Sequence, residues 1–160
     1  MSFRALALPA PGLGQVWLSA MPGRFESWAS FQIEAQARAV QHVLCLNPMF
    51  EVESLSPPYA QAIGAGILPF RWTHLPMQDF GLAARVEAFR DAIDEVATSV
   101  RAGDAVLLHC AAGIGRTGTA AACLLKRLGA SSTEALQCVR DAGSNPESAL
   151  QRGLIDHRTS

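Results

Sequence analysis

The ten residues His109-Cys110-Ala111-Ala112-Gly113-Ile114-Gly115-Arg116-Thr117-Gly118 constrain this chain more than any other stretch. The run before them, Asp104-Ala105-Val106-Leu107-Leu108, is short and apolar and reads as a buried strand. The run after them, Thr119 to Leu128, is rich in helix formers and is stopped by Gly129. The ten residues therefore join a strand to a helix, with the helix beginning near Arg116. Such a junction presents unpaired backbone N–H groups and the positive end of a helix dipole, which suits an anion.

Each residue type in the loop can serve that anion. Cys110 stands where the strand ends, and a thiol beside a helix N-terminus and cations is driven toward thiolate. Five residues separate it from Arg116, so a tight loop can turn the guanidinium to face the sulfur. That planar fork matches two phosphate oxygens. Gly113 and Gly115 permit backbone angles that let the N–H groups of 111–116 converge on one centre. Ala111, Ala112, Gly113, Ile114, Gly115 and Arg116 are thus the expected phosphate-binding set. Thr117 offers a hydroxyl to the thiolate.

His-Cys-x5-Arg-Thr resembles the signature of the cysteine-based protein phosphatases, and the whole chain is similar to a compact dual-specificity-type member. The flanking His109, the two glycines and Thr117-Gly118 make the match much more specific than a bare Cys-x5-Arg. The resemblance implies a two-step hydrolysis through a phosphocysteine, with His109 orienting the loop. It also implies that an acidic loop such as the one holding Glu51 braces the catalytic Arg. A Gln in the region of Gln151 would position the attacking water.

Elsewhere, Phe3–Leu8 and Gln15–Leu18 read as short strands, Ser27–Val40 as a helix, Val43–Leu46 as a buried strand and Met49–Ser56 as a loop. Pro58–Ala65 reads as a short helix and Ile67–Leu75 as a strand. Val86, Phe89, Ile93, Val96 and Val100 recur at helical spacing, with Gly103 as the stop. Ser131-Ser132-Thr133-Glu134 is a capping box, and Ser144-Asn145-Pro146 starts a further helix. The expected fold is α/β: a central, mostly parallel sheet of about five strands with helices on both faces, one phosphatase domain over residues 1–160.

Asp79 lies in a loop after the 67–75 strand, and a strand-loop-helix-strand path leads from it to Cys110. Such a path is expected to make the two strands neighbours in a parallel sheet, so that Asp79 faces Cys110 across the pocket, where open α/β sheets place their sites. The resemblance adds that this family carries its general acid in such a loop.

The 160 residues carry a formal charge of −1, with 49% hydrophobic and 17% charged residues. This composition is globular, with no Lys/Arg run to suit nucleic acid or an anionic membrane. No 18-residue apolar stretch occurs, and residues 1–14 make a poor signal peptide, so a cytoplasmic protein is expected. Cys45, Cys110, Cys123 and Cys138 are too scattered for a zinc site; a Cys45–Cys110 disulfide is conceivable across neighbouring strands. No metal or cofactor is required. Expected partners are a phosphorylated protein or peptide, with phosphate and other oxyanions as product or inhibitors. Rival readings are a phosphate-binding module without turnover and a phosphoinositide phosphatase, though the relatives with that activity tend to carry Lys in the loop. Low-molecular-weight phosphatases and arsenate reductases are disfavoured because their motif lies near the N-terminus.

Overall fold

The structure is a computed structural model that describes residues 3–77 and 86–145. The elements are, in chain order, β1 Arg4–Ala5, β2 Gln15–Ser19, α1 Trp28–Ala37, β3 Val40–Cys45, α2 Met49–Leu55, α3 Pro57–Ala65, β4 Arg71–His74, α4 Val86–Arg101, β5 Ala105–His109, α5 Gly115–Arg127 and α6 Ser132–Asp141. The strands form one sheet in the order β1-β2-β5-β3-β4, with β1 antiparallel to β2 and the other pairs parallel. This is the expected α/β architecture.

The neighbour expected for β5 was wrong. β4 does not pair with β5; β3 lies between them and pairs with both. Burial explains the order. Val43, Leu44 and Cys45 of β3 are wholly buried, as suits an interior strand covered on both faces. Arg71 of β4 is exposed and Trp72 to His74 are only half-buried, so β4 takes the edge. The chain still crosses to the centre. The Leu75 N–H donates to the Cys45 carbonyl (2.9 Å) and the Met77 N–H to the Leu46 carbonyl (3.0 Å), so residues 75–77 lean over the end of β3.

The helices cover both faces. Phe89, Ile93, Val96 and Val100 of α4 pack with Ala120, Ala121 and Leu124 of α5, Ala135 and Val139 of α6, and Leu44, Val106 and Leu108 of the sheet. The other face receives Phe31 and Ala35 of α1 against Val43 and Leu107, and Val52 and Tyr59 of α2 and α3 against Cys45. Side chains along β5 thus alternate between the two faces, Leu107 to one and Leu108 to the other.

Two boundaries differ from the sequence reading in ways that affect the site. Residues 49–55, expected as a loop, form helix α2; seven residues are too few to show a helical period. The 67–75 strand shrinks to 71–74. The 27–40 helix ends at Ala37, and Ala39 takes a positive φ of 54° before β3 begins. Ser27 is its N-cap, accepting from the Ser30 N–H at 3.0 Å. The capping box at Ser131 and Glu134 is present as expected.

Candidate active site

Cys110 follows the last residue of β5, and Gly115 opens α5. Between them the loop is anchored by its carbonyls. Ala111 O accepts from Arg24 Nη1 (2.8 Å) and from the Met21 N–H (3.4 Å). Gly113 O accepts from Arg4 Nη2 and Ser144 Oγ. Ile114 O accepts from the N–H groups of Gly118 (2.9 Å) and Asn145 (3.1 Å). Because a trans peptide is planar, a carbonyl held to one side sends the next N–H to the other. The N–H groups of Ala112, Ile114 and Gly115 therefore point away from these anchors. The Gly113 N–H donates to Cys110 Sγ at 3.2 Å.

Gly113 is required by two facts. Its φ is +77°, and a Cβ there would lie 2.5–2.7 Å from the backbone of Ser19 and Ala20 at the end of β2. No other residue lets the loop lie so close to the sheet.

Arg116, 2% exposed, is held from two elements. Its Nη1 donates to both carboxylate oxygens of Glu51 (3.0 and 3.1 Å) and to the Met77 carbonyl (2.8 Å). Glu51 sits in the first turn of α2, and its Oε1 also accepts from Asn47 Nδ2 at 2.9 Å. The Asn47 carbonyl in turn accepts from His74 Nε2 at 2.7 Å. The ends of β3 and β4, helix α2 and helix α5 thus meet through one polar chain, and Glu51 occupies the bracing position that the family resemblance implied.

His109 is fully buried, with its ring against Tyr59. Trp72 Nε1 donates to Tyr59 Oη (2.8 Å), and Tyr59 Oη lies 2.8 Å from His109 Nε2. Tyr59 Oη is thus shared between Trp72 and His109, and the buried ring is neutral. Burial pushes the His109 pKa down to about 3, Arg116 and His74 add to the effect, and the Cys110 backbone opposes it. The ring is a positioning group for the end of β5, not an acid.

Thr117 is buried, and its Oγ1 has no hydrogen-bond partner among the described residues. Cys45 pairs with His109 in the sheet register and so shares its face, packed against Tyr59; Cys110 packs in the opposite core. Burial pushes the Cys45 thiol up to about 12. All four cysteines are reduced. Cys45 is therefore poorly placed to form the disulfide that the sequence left open.

A cavity of about 500 Å3 opens over the loop, lined by Cys110, Ala111, Ala112, Gly115 and Arg116, with Glu51, Arg24 and Phe50 on its walls. Phe50 and Phe25 are exposed, and the Arg24 guanidinium lies 4.5 Å from the Phe25 ring centroid. Asp79 and Gln151 lie outside the described residues. Among the described residues no cluster of His, Cys, Asp or Glu could hold a metal ion, and no helix is long and apolar enough to cross a membrane. Sequence reasoning missed Arg4, Arg24 and Ser144. Each reaches the loop from far along the chain, and no local pattern marks such contacts.

Residues 22–155 match the family model described as Swiss Army Knife protein, DSP-PTPase phosphatase domain. The chain belongs to this family. It is a compact cysteine-based phosphatase of the dual-specificity type. No curated protein matches the sequence. Among solved structures, kinase associated phosphatase with its catalytic-site cysteine substituted by serine is similar at a TM-score of 0.79 and 18% identity, covering 96% of this chain and 90% of that one. Tk-PTP in its active form is similar at 0.70 and 25% identity, covering 94% and 98%. PTPMT1 in complex with PI(5)P is similar at 0.68 and 19%, covering 90% and 89%. At 18% and 19% identity, the first and last of these likenesses are of fold.

Proposed function

We propose that this DSP-type phosphatase hydrolyses phosphotyrosine, and with it phosphoserine and phosphothreonine, in protein substrates through a phosphocysteine intermediate. One observation carries the reading. A sulfur bonded by the Gly113 N–H lies in the same cavity as an arginine braced by Glu51 and Met77.

In the first step the Cys110 thiolate attacks phosphorus. A sulfur–phosphorus bond forms, the ester phosphorus–oxygen bond breaks, and Asp79 gives its proton to the leaving oxygen. In the second step water, positioned by Gln151, attacks the phosphocysteine and Asp79 takes its proton. The sulfur–phosphorus bond breaks and the Thr117 hydroxyl stabilises the departing thiolate. Arg116 and the loop N–H groups hold the equatorial oxygens in both steps. Asp79 follows Met77 by two residues, and two extended residues span at most about 7 Å. Met77 itself is bonded to Arg116, and the nearness of position 79 to it in the chain supports the assignment of Asp79 as the acid.

Two features favour protein substrates. The loop between Cys110 and Arg116 contains no lysine, and the cavity wall carries the exposed aromatic side chain of Phe50. Arg24 on the cavity wall is the feature that favours the second reading, a phosphoinositide or other non-protein ester with an additional phosphate. A panel of phosphopeptides, phosphoinositides and an aryl phosphate separates the two. Cys110→Ser should abolish turnover of every member while still binding phosphate, and rapid quench followed by mass spectrometry should find phosphate on Cys110 alone. Near wild-type turnover by Cys110→Ser would refute the mechanism. Phosphoinositides as the sole substrates would replace the protein reading with the second.

A further inference from the structure

Behind the anion loop stands a half-buried cation, not among the residues lining the cavity, that the chemistry above does not use. Arg4 leaves β1 and spreads its guanidinium across three acceptors. Nη1 donates to Ala142 O (2.7 Å) and Ser144 Oγ (2.9 Å), and Nη2 donates to Gly113 O. Ser144 is itself buried and passes its own hydroxyl proton to the same Gly113 oxygen. The ring is closed: Arg4 donates to Ser144, and both donate to Gly113. Gly143, at φ +86°, lets the guanidinium pass, since a Cβ there would lie 3.0 Å from Arg4 Nη1.

We propose that Arg4 is a positioning residue for the phosphate site. With Ser144 it holds the Gly113 carbonyl on the far side of the loop, so that the 113–114 peptide presents its N–H to the phosphate. This rests on the reading of the Cys110 loop as the phosphate site. The geometry gives the reason. The Gly113 N–H already bonds Cys110 Sγ (3.2 Å), and Gly113 sits at φ +77°. Successive N–H groups around such a residue form an anion-binding concavity. Glycine, however, is the residue whose flanking peptides rotate most easily. A flip of the 113–114 peptide would turn a carbonyl oxygen toward the phosphate. Two donors on that carbonyl, one of them charged, oppose the flip, and charge-assisted bonds are the stronger kind.

Arg4 is also a fixed positive charge behind the sulfur. Burial lowers its pKa, and the electrostatic influence of Cys110 opposes that fall. Arg116, Arg24 and Glu51 face the sulfur from the cavity side, and the neutral His109 precedes it. Among the described residues, Arg4 is a cation that acts from behind.

The test compares wild type with Arg4→Met, Arg4→Lys and Ser144→Ala. Inorganic phosphate binding is measured by calorimetry, aryl phosphate kinetics give kcat and KM, and a thermal melt monitors folding. Arg4→Met should weaken phosphate at least tenfold and raise KM for the aryl ester in step. Ser144→Ala should weaken phosphate at least threefold with its melting temperature within a few degrees of wild type. Arg4→Lys should recover part of the loss, because an ammonium reaches one acceptor where the guanidinium holds three. A role confined to tying the N-terminus to residues 142–144 would lower the melting temperature and leave phosphate affinity unchanged. If Arg4→Met does not fold, Ser144→Ala decides alone. Phosphate affinity within twofold of wild type in the folded variants overturns the proposal. A wild type that neither binds phosphate nor hydrolyses the ester overturns the reading of the loop itself, which is a separate outcome.

Discussion

Glu51 shows what a single side chain contributes at this site. It spends both oxygens on Arg116 Nη1, and Asn47 fixes Oε1 in turn. Hydrogen bonds to charged groups contribute about 1.5–3 kcal/mol, so loss of the brace corresponds to roughly 10–100-fold in kcat/KM at about 1.4 kcal/mol per decade. Glu51→Gln, which keeps the shape and removes the charge, should fall in that range against an aryl phosphate. A loss under twofold would mean that Met77 alone holds the guanidinium. His109 makes a different prediction, about pH. The fold lowers its pKa from 6.5 to about 3, so between those values the unfolded chain binds a proton that the folded chain refuses. Stability is fully present above pH 6.5 and is lost as pH falls toward 3, with a limiting slope of about 1.4 kcal/mol per pH unit. His42 acts in the same sense. It is buried between Ser99 and Thr73 (2.7 Å each), and burial with the nearby Arg71 pushes its pKa down. Urea unfolding between pH 5 and 6.5, above the carboxylate range, should show stability rising with pH, and His109→Gln should flatten part of the rise. An identical slope in that variant would contradict the assignment.

At the scale of elements, the strand, the loop and helix α5 were legible because each carries its own local signal. The apolar run of β5, the glycines and the helix formers stand next to one another in sequence. Helix α4 was legible for the same reason, its apolar residues recurring over 16 residues. Helix α2 was missed because seven residues give no period to read, and its Glu51 came into view only through the family resemblance. Arg4 and Ser144 carried no signal at all, lying 140 residues apart in the chain. What the sequence shows of the loop is why Gly113 must be glycine there, and the structure adds what it packs against. Gly113→Ala combines a strained positive φ with a Cβ 2.5–2.7 Å from the backbone of Ser19 and Ala20. Backbone strain alone costs on the order of 1–3 kcal/mol, and the clash at the end of β2 adds to it. The expected result is a chemical-denaturation midpoint lowered by at least about 2 kcal/mol equivalent, together with loss of phosphate binding. A variant of wild-type stability would show that the loop can lift off the sheet.

At the scale of the whole molecule, the sheet order decides which segment reaches Arg116. The path from β4 to β5 was readable from the pattern of strand and helix, but the place of β3 between them was not, because pairing partners depend on how completely each strand is buried. The consequence is that the chain after β4 must travel over the end of β3 to reach the loop. It does so through the bonds of Leu75 and Met77 to the carbonyls of Cys45 and Leu46, and it arrives with the Met77 carbonyl on Arg116. Asp79 is two residues further on, which makes its proposed role as general acid testable by chemistry alone. An acid matters in proportion to how badly the leaving oxygen needs a proton. Asp79→Asn should therefore lower turnover of a phosphopeptide by roughly 10²–10⁴. The loss should be much smaller for an aryl phosphate with a strongly acidic phenol, provided ester cleavage still limits the rate. The variant should also lose the basic limb of the pH–rate profile, which in wild type reports the protonated acid, and keep the acidic limb. Both substrates are to be measured across pH for both proteins. Equal losses on good and poor leaving groups, with the basic limb intact, would remove Asp79 from the mechanism. Glu51 could not then inherit the role without releasing Arg116, so the acid would have to come from another carboxylate that reaches the cavity mouth.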